Sequence, residues 1–154
     1  MNATHHARHF MAAAGLCLLA LSTSVAHAQQ NMVSVAGSTL NMREGPGTGS
    51  PVLWELKRGY PLEITGRKGS WVKVRDFEGD TGWVARSLTG KAPHHVVKSK
   101  VANIRSGPGT QHRIVGKAEY GELLRTREKR AEWVRVEREE GVSGWIARQL
   151  LWGF

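Results

Sequence analysis

The stretch NMREGPGT at residues 41–48 occurs a second time, as NIRSGPGT at residues 103–110. Three blocks that share one period predict two copies of the same structural unit. The other two blocks return at the same offset of 62 residues: WVKV at 71–74 as WVRV at 133–136, and GWVAR at 82–86 as GWIAR at 144–148. A residue kept in both copies was needed twice, so a comparison of the copies separates shared positions from copy-specific ones.

Each copy consists of short runs in which apolar and polar residues alternate, separated by Gly, Pro and charged turns. Such alternation predicts β-strands with one buried face. About five short strands per copy suit a small, partly open barrel, so the predicted fold class is all-β with two tandem β-barrels. The predicted strands are 33–42, 52–56, 61–65, 71–75 and 81–85, and then 101–105, 114–117, 123–127, 133–137 and 143–147.

The Gly-Pro-Gly of both copies predicts a sharp reversal of the chain. Proline presets its own φ, and we expect the flanking glycines to take positive φ. In the strand that follows residue 70, Val72 and Val74 share one parity and Trp71 has the other. We therefore expect the valines in the core and Trp71 on the outer face. Copy two predicts the same arrangement at residues 133–136.

The ordered pattern N-x-R-x-G-P-G-T, W-x-K/R-V and G-W-V/I-x-x-x-L resembles the bacterial SH3-like domains, often written SH3b. The resemblance covers roughly residues 33–89 and 98–152, and the ending QLLWGF is similar to tandem members in exported proteobacterial proteins. It implies SH3-like barrels, each with a short 3₁₀ turn near its end, around 86–88 and 148–150. It also implies a binding role, commonly toward peptidoglycan or its stem peptides.

Residues 1–28 read as a signal peptide. Arg8 lies in a mildly basic start, Phe10 to Val25 is an apolar run, and Ala26-His27-Ala28 has the small-x-small pattern of a cleavage site. The only cysteine, Cys17, lies in that apolar run, so the mature chain has no thiol for a disulfide. We expect an exported protein in the periplasm, with secretion as the alternative.

The chain is basic, with a net charge of +9, of which Arg8 supplies one. The most basic segment per residue, 90–100, is predicted to link a first domain at 33–89 to a second at 101–152. Outside the cytoplasm, positive charge favours cell-wall carboxylates, anionic lipid headgroups or polysaccharide as partners. Nucleic acid is not an expected partner, and no transmembrane segment is expected in the mature chain.

Aromatic and arginine side chains are the candidate ligand-binding residues. A tryptophan ring on the outer face can stack on a sugar or an extended peptide, and an arginine can pair with a ligand carboxylate. The alternative is structural, with rings that cover the open edges of the barrel and arginine stems that pack over the sheet. The candidates are Arg43, Trp54, Tyr60, Trp71, Trp83, Arg105, Tyr120, Trp133 and Trp145.

Three of these candidates are copy-specific. Because a shared fold tolerates an exchange at such positions, we expect them to make contacts that only one copy makes. The exchanges are Trp54 for Gly116, Tyr60 for Glu122, and Tyr120 for Arg58.

No catalytic residue, metal site or cofactor is predicted. After residue 28 the histidines are His94, His95 and His112, and none forms a pattern with a nucleophile. His94 and His95 read as part of an exposed linker, and Glu139-Glu140 as a solvated turn. We therefore expect a protein that is not an enzyme.

The leading hypothesis is a cell-envelope binding module for cell-wall peptide or glycan. The alternative is a periplasmic interaction or scaffold protein, with Trp54 and Tyr60 in the contact. A third hypothesis is an adaptor for anionic lipid. The residues leave open which ligand is bound, whether both copies bind, and the oligomeric state.

Overall fold

The computed structural model describes residues 31–154, which form two antiparallel β-sheets of seven strands each. Barrel one consists of β1 (Met32–Val35), β2 (Thr39–Arg43), β3 (Val52–Lys57), β4 (Pro61–Lys68), β5 (Trp71–Arg75), β6 (Thr81–Ala85) and β7 (Thr89–Gly90). Barrel two consists of β8 (His94–Val97), β9 (Val101–Arg105), β10 (Ile114–Glu119), β11 (Leu123–Arg130), β12 (Trp133–Glu137), β13 (Ser143–Ala147) and β14 (Leu151–Gly153). The predicted signal peptide, 1–28, lies outside the described residues.

The two sheets have the same strand order. It is β3-β2-β6-β5-β4-β1-β7 in barrel one and β10-β9-β13-β12-β11-β8-β14 in barrel two. In each barrel three consecutive strands form a meander, and β2 or β9 joins it through a bridge from an arginine to a tryptophan. The two copies of the sequence repeat therefore fold with the same strand topology. The prediction of an all-β chain with two tandem small barrels is confirmed.

The first predicted strand, 33–42, is two strands in the structure. Val33 pairs with Leu62 of β4, whereas Leu40 pairs with Leu56 of β3. Because β4 and β3 lie far apart in the sheet order, the chain must turn between the two pairings. The apolar core residues change from odd positions, Val33 and Val35, to even positions, Leu40 and Met42, and this change was the signal for the turn.

Part of the segment predicted as a basic linker, 90–100, belongs to barrel two. His95 of β8 pairs with Leu124 of β11, and Val97 pairs with Leu151 of β14. Both Val97 and its neighbour Val96 are fully buried. β8 begins 62 residues after β1 and has the same place in its sheet, so the repeat includes it. Pro93 and the nearby lysines gave this segment the composition of a linker.

Each barrel has its own hydrophobic core. The predicted burial of Val72 and Val74, and of Val134 and Val136, is confirmed. Separate cores are what two independent small domains require. The core of barrel one contains Val33, Val35, Leu40, Met42, Leu56, Leu62, Ile64, Val72, Val74 and Val84, and that of barrel two contains Val97, Ala102, Ile104, Ala118, Leu124, Val134, Val136, Ile146 and Leu151.

The glycines of Gly-Pro-Gly do not adopt the positive φ expected of them. Positive φ occurs instead at the turns before β4 and β11 and in the hairpins after β5 and β12, as at Gly59 and Gly121. At Gly107 the requirement is space, because an added Cβ would lie 2.6 Å from the ring of His112. Glycine is needed in that loop to let side chains approach the backbone.

Both expected 3₁₀ turns are present, at Arg86–Leu88 and Arg148–Leu150. Each leads directly into a short strand, β7 or β14, which pairs with the first strand of its barrel. Among residues 31–154, no helix has the length and apolar character needed to cross a membrane.

Candidate ligand-binding surfaces

The arginine that both copies carry, Arg43 or Arg105, holds the Gly-Pro-Gly loop of its barrel. Arg43 Nη1 donates hydrogen bonds to the carbonyl oxygens of Thr48, at 3.0 Å, and Ser50, at 2.7 Å. Arg105 makes the same pair of bonds in barrel two. A guanidinium that already bonds two carbonyls of its own loop has fewer N–H groups left for a ligand carboxylate. These contacts favour the structural alternative for Arg43 and Arg105.

The tryptophans kept in both copies are not equally accessible. Trp71, Trp83 and Trp133 are half-buried, whereas Trp145 is 7% exposed. The guanidinium of Arg130 lies 5.1 Å from the centre of the Trp145 ring, a cation–π contact. Trp145 is therefore buried although it was a candidate for ligand stacking, and Arg130 lies against its ring.

Trp54 is the most exposed tryptophan among the described residues, at 54%. It lies on β3, whose neighbours Val52 and Leu53 are also exposed. β3 is the terminal strand in the order of its sheet. Trp54 therefore belongs to an apolar surface on an edge strand, a position from which partner proteins are often bound.

Tyr60 and Tyr120, which both belong to the copy-specific set, lie on either side of Phe77. The ring centres of Tyr60 and Phe77 are 6.3 Å apart, and those of Phe77 and Tyr120 are 5.4 Å apart. Tyr120 belongs to barrel two, and its hydroxyl donates a 2.6 Å hydrogen bond to Glu78 of barrel one. These rings therefore join the barrels.

The hairpin after β5 carries three carboxylates within 4.8 Å of one another, on Asp76, Glu78 and Asp80. Asp76 Oδ1 accepts hydrogen bonds from the backbone N–H groups of Glu78 and Asp80, and Oδ2 accepts one from Tyr60. Glu78 accepts the bond from Tyr120. The carboxylates of Asp76 and Glu78 thus serve the hairpin and the contact between barrels.

The nearby carboxylates contribute to a raised pKa of both tyrosine hydroxyls. Burial, together with the charge of Asp76, raises the pKa of Tyr60 above its ordinary value of 10.0. The hydrogen bond to Glu78 is the main reason that the pKa of Tyr120 is raised. Both phenols therefore stay protonated and act as donors at neutral pH.

A cleft of about 760 Å³ lies between the barrels. We call it the inter-barrel cleft. It is lined from barrel one by Glu55, Leu56, Lys57 and Tyr60, and from barrel two by Gly121, Glu122, Leu123, Arg138, Glu139 and Glu140. A second hollow of about 350 Å³ shares four of these residues and adds Arg58, His94, Arg125 and Glu137. We call it the basic annex.

The inter-barrel cleft was missed at the level of sequence. Of the nine candidate residues only Tyr60 lines it, although Tyr120 helps to hold its two sides together. A signal was available, since Glu139-Glu140 in copy two stands where copy one has Phe77-Glu78. Loop residues that differ between otherwise matching repeats indicate a local, copy-specific role.

His95, read as part of an exposed linker, is 3% exposed. Its Nδ1 lies 2.6 Å from Thr126 Oγ1. Burial, with nearby Lys129 and Arg148, lowers the pKa of His95 to about 4. The ring is therefore neutral at physiological pH and forms part of the interior of barrel two.

Comparison with known proteins gives several similarities. The chain is 28% identical, over 138 residues, to the Putative N-acetylmuramoyl-L-alanine amidase YrvJ of Bacillus subtilis (strain 168). That match covers 82% of this chain and 26% of the relative, so the chain spans about a quarter of the relative's length.

Two solved structures show weaker similarity, each with 15% sequence identity. NlpC1 from Trichomonas vaginalis matches with a TM-score of 0.36, over 79% of this chain and 45% of that chain. An NlpC/P60 family protein from Bacillus cereus ATCC 10987 matches with a TM-score of 0.37, over 79% of this chain and 55% of that chain.

The family comparison covers most of the described chain. The Bacterial SH3 domain family matches residues 36–91 and again residues 98–153. Each match covers one sheet except its first strand, β1 or β8, and together the matches span more than half of the sequence. The chain therefore belongs to the bacterial SH3 domain family, of which it carries two members in tandem.

Proposed function

We propose that this protein is a non-catalytic binding module of the cell envelope, located in the periplasm, that recognises peptidoglycan or its stem peptides. The observation that carries the proposal is the pair of bacterial SH3 domains, matched over 36–91 and 98–153. The similarity to a protein named as an N-acetylmuramoyl-L-alanine amidase adds support, because that name refers to a bond of the cell wall. The amidase activity itself is not carried over.

The charge of the chain supports the same function. The net charge of +9 favours association with anionic wall carboxylates, and this attraction is long-ranged at low salt. Three titratable groups have structural roles: His95 is buried against Thr126, and the carboxylates of Asp76 and Glu78 bond to the protein itself.

Co-sedimentation with insoluble peptidoglycan tests the proposal. Residues 29–154, which contain both barrels, are mixed with purified sacculi and centrifuged at 20 mM and 300 mM salt. We expect retention at both salt concentrations, weaker at the higher one. A control basic protein of similar charge should be released at 300 mM. If the protein stays in the supernatant at 20 mM, the proposed function is wrong.

One observation favours a second candidate, a protein-interaction role. Val52, Leu53 and Trp54 expose apolar surface on an edge strand, and copy two has Gly116 where Trp54 stands. A photo-cross-linking residue at position 54 tests it, with position 116 as the matched control. A discrete protein adduct from position 54 alone supports an envelope partner. Adducts to peptidoglycan alone would exclude it.

A further inference from the structure

The inter-barrel cleft has walls from both barrels and a partly apolar floor. Leu56 is buried at its base, while Tyr60 and Leu123 are half-buried beside it. Its sides are held by the Phe77–Tyr120 ring contact and the hydrogen bond between Tyr120 and Glu78. A cleft whose walls are already fixed loses little conformational freedom when a ligand enters.

Three carboxylates of the cleft are unused by the protein. The side-chain carboxylates of Glu55, Glu139 and Glu140 are exposed and make no hydrogen bond or ion pair with any other residue in the range 31–154. By contrast, Glu122 is paired with Arg138 at 2.5 Å. In a chain of net charge +9, this concentration of free carboxylates is a local exception. It attracts a cation.

The basic annex has the opposite character. It adds Arg58 and Arg125 beside Lys57, which both hollows share. Its two acidic residues are Glu137, which is paired with Arg127, and Glu139, which both hollows share, so its basic residues outnumber its acidic ones. A ligand that lies across both hollows therefore meets negative charge in one and positive charge in the other, and this fixes its orientation.

At most charged positions of the two hollows the copies carry different residues, although Glu140 matches Glu78. Copy two has Lys117 where copy one has Glu55, and copy one has Glu63 where copy two has Arg125. The position of Glu139 is Phe77 in copy one. Neither barrel carries this arrangement alone, so the site exists only when both are joined.

We propose that the inter-barrel cleft with its basic annex binds a zwitterionic peptide, whose amine lies among Glu55, Glu139 and Glu140 and whose carboxylate lies beside Lys57, Arg58 and Arg125. The proposal deepens the proposed function and rests on it, because it assigns the peptide-binding step to a composite site. A neutral glycan has no charge to match either hollow, so the site should bind a zwitterionic peptide in preference to it.

The test uses the synthetic tripeptide Ala-Glu-Lys and isothermal titration calorimetry on residues 29–154. We expect binding to weaken about tenfold when both amines of the peptide are acetylated, and also when its carboxylates are amidated. The double substitution Glu139→Gln and Glu140→Gln should weaken binding of the unmodified peptide by a similar factor. The control is Glu44→Gln with Glu132→Gln, which removes the same charge from exposed residues that line neither hollow.

Thermal unfolding of both double variants checks that they remain folded. Equal affinity of the two variants for the tripeptide, equal binding of the acetylated peptide, or no binding by the unsubstituted protein would each overturn the cleft assignment. Sedimentation with sacculi separates this result from the proposed function. If wall retention persists while the cleft variant behaves like its control, the function stands and the cleft is not its site.

Discussion

Barrel one and barrel two use different chemistry at one matching pair of positions. In barrel one, Asp76 accepts a hydrogen bond of 3.3 Å from Tyr60. In barrel two the same two positions are Arg138 and Glu122, which form an ion pair. The topology of the two barrels is identical. The fold therefore requires a polar contact between these two positions, and either a hydrogen bond or an ion pair can provide it.

The residues that follow this pair in the chain also differ between the barrels and have different roles. In barrel one, Asp76 is followed by Phe77, whose ring contacts Tyr120 of the other barrel. In barrel two, Arg138 is followed by Glu139 and Glu140, which line the inter-barrel cleft. One hairpin joins the barrels, and its counterpart is left free for a ligand. Two copies of one fold have thus diverged where they meet.

A second difference lies in the interiors. Val33 and Ile64 belong to the apolar core of barrel one, and the matching positions of barrel two are His95 and Thr126. The polar pair is bonded through His95 Nδ1. Burying a titratable group makes stability depend on its protonation state, so acid should affect barrel two more than barrel one.

The largest expected effect is the acid sensitivity of barrel two. The pKa of His95 is lowered from 6.5 to about 4 in the folded chain. Between those two pH values the unfolded chain binds a proton that the folded chain does not. The free energy of unfolding should therefore fall as the pH decreases from 6.5 to 4, by up to about 3 kcal/mol. Urea titration at several pH values measures it.

The control for acid sensitivity transplants the pair from barrel one. With His95→Val and Thr126→Ile together, barrel two carries the residues that barrel one has at these positions. The fall in stability between pH 6.5 and 4 should then shrink by most of its size. An unchanged pH dependence in this variant would mean that another group is responsible.

The second expected effect compares the glycines that precede Trp83 and Trp145. A Cβ added at Gly144 would lie 2.6 Å from the backbone oxygen of Arg105. At Gly82 it would lie 2.9 Å from the backbone oxygen of Arg43 and 2.5 Å from Cγ of Met42, an unbranched side chain that can move more easily than backbone. We therefore expect Gly144→Ala to destabilise its barrel by about 2 kcal/mol, and Gly82→Ala by less. Urea unfolding followed by tryptophan fluorescence measures both, and equal effects would contradict the comparison.

The smallest expected effect concerns the contact between barrels. Phe77→Ala and Tyr120→Ala remove the two rings that meet across the interface. A double-mutant cycle on the free energy of unfolding should give a coupling of about 0.5–1 kcal/mol. The matched control pairs Phe77→Ala with Trp54→Ala, which removes an exposed ring elsewhere on barrel one. Additive effects in the first cycle would show that the barrels are not joined through these rings.

Much of the fold was predictable from residues close together in the chain. The alternation at Val72 and Val74 predicts which side of the strand is buried, because successive side chains of a strand point to opposite faces. β8 was missed because Pro93 and the lysines around it resemble an exposed segment. The position of β1, 62 residues earlier, was the signal that could have identified it.

The candidate site was less predictable. The sequence pattern placed Arg43 and Arg105 beside the Gly-Pro-Gly loops, but only the hydrogen bonds to loop carbonyls show how the guanidinium groups are used. Trp145 has the outward parity of its strand, yet Arg130 covers its ring. Parity predicts the face on which a side chain lies, and not what another segment places over it.

The repeat and its alternation are properties of the chain alone. They require that the apolar face of each sheet be covered, and a small barrel covers it by closing the sheet on itself. The contact of Tyr120 with Phe77, and the presence of Glu55 and Glu139 in one cleft, are properties of the folded molecule. These residues are separated by tens of positions and follow no period. Their proximity depends on how the two finished barrels pack against each other, which no local pattern encodes.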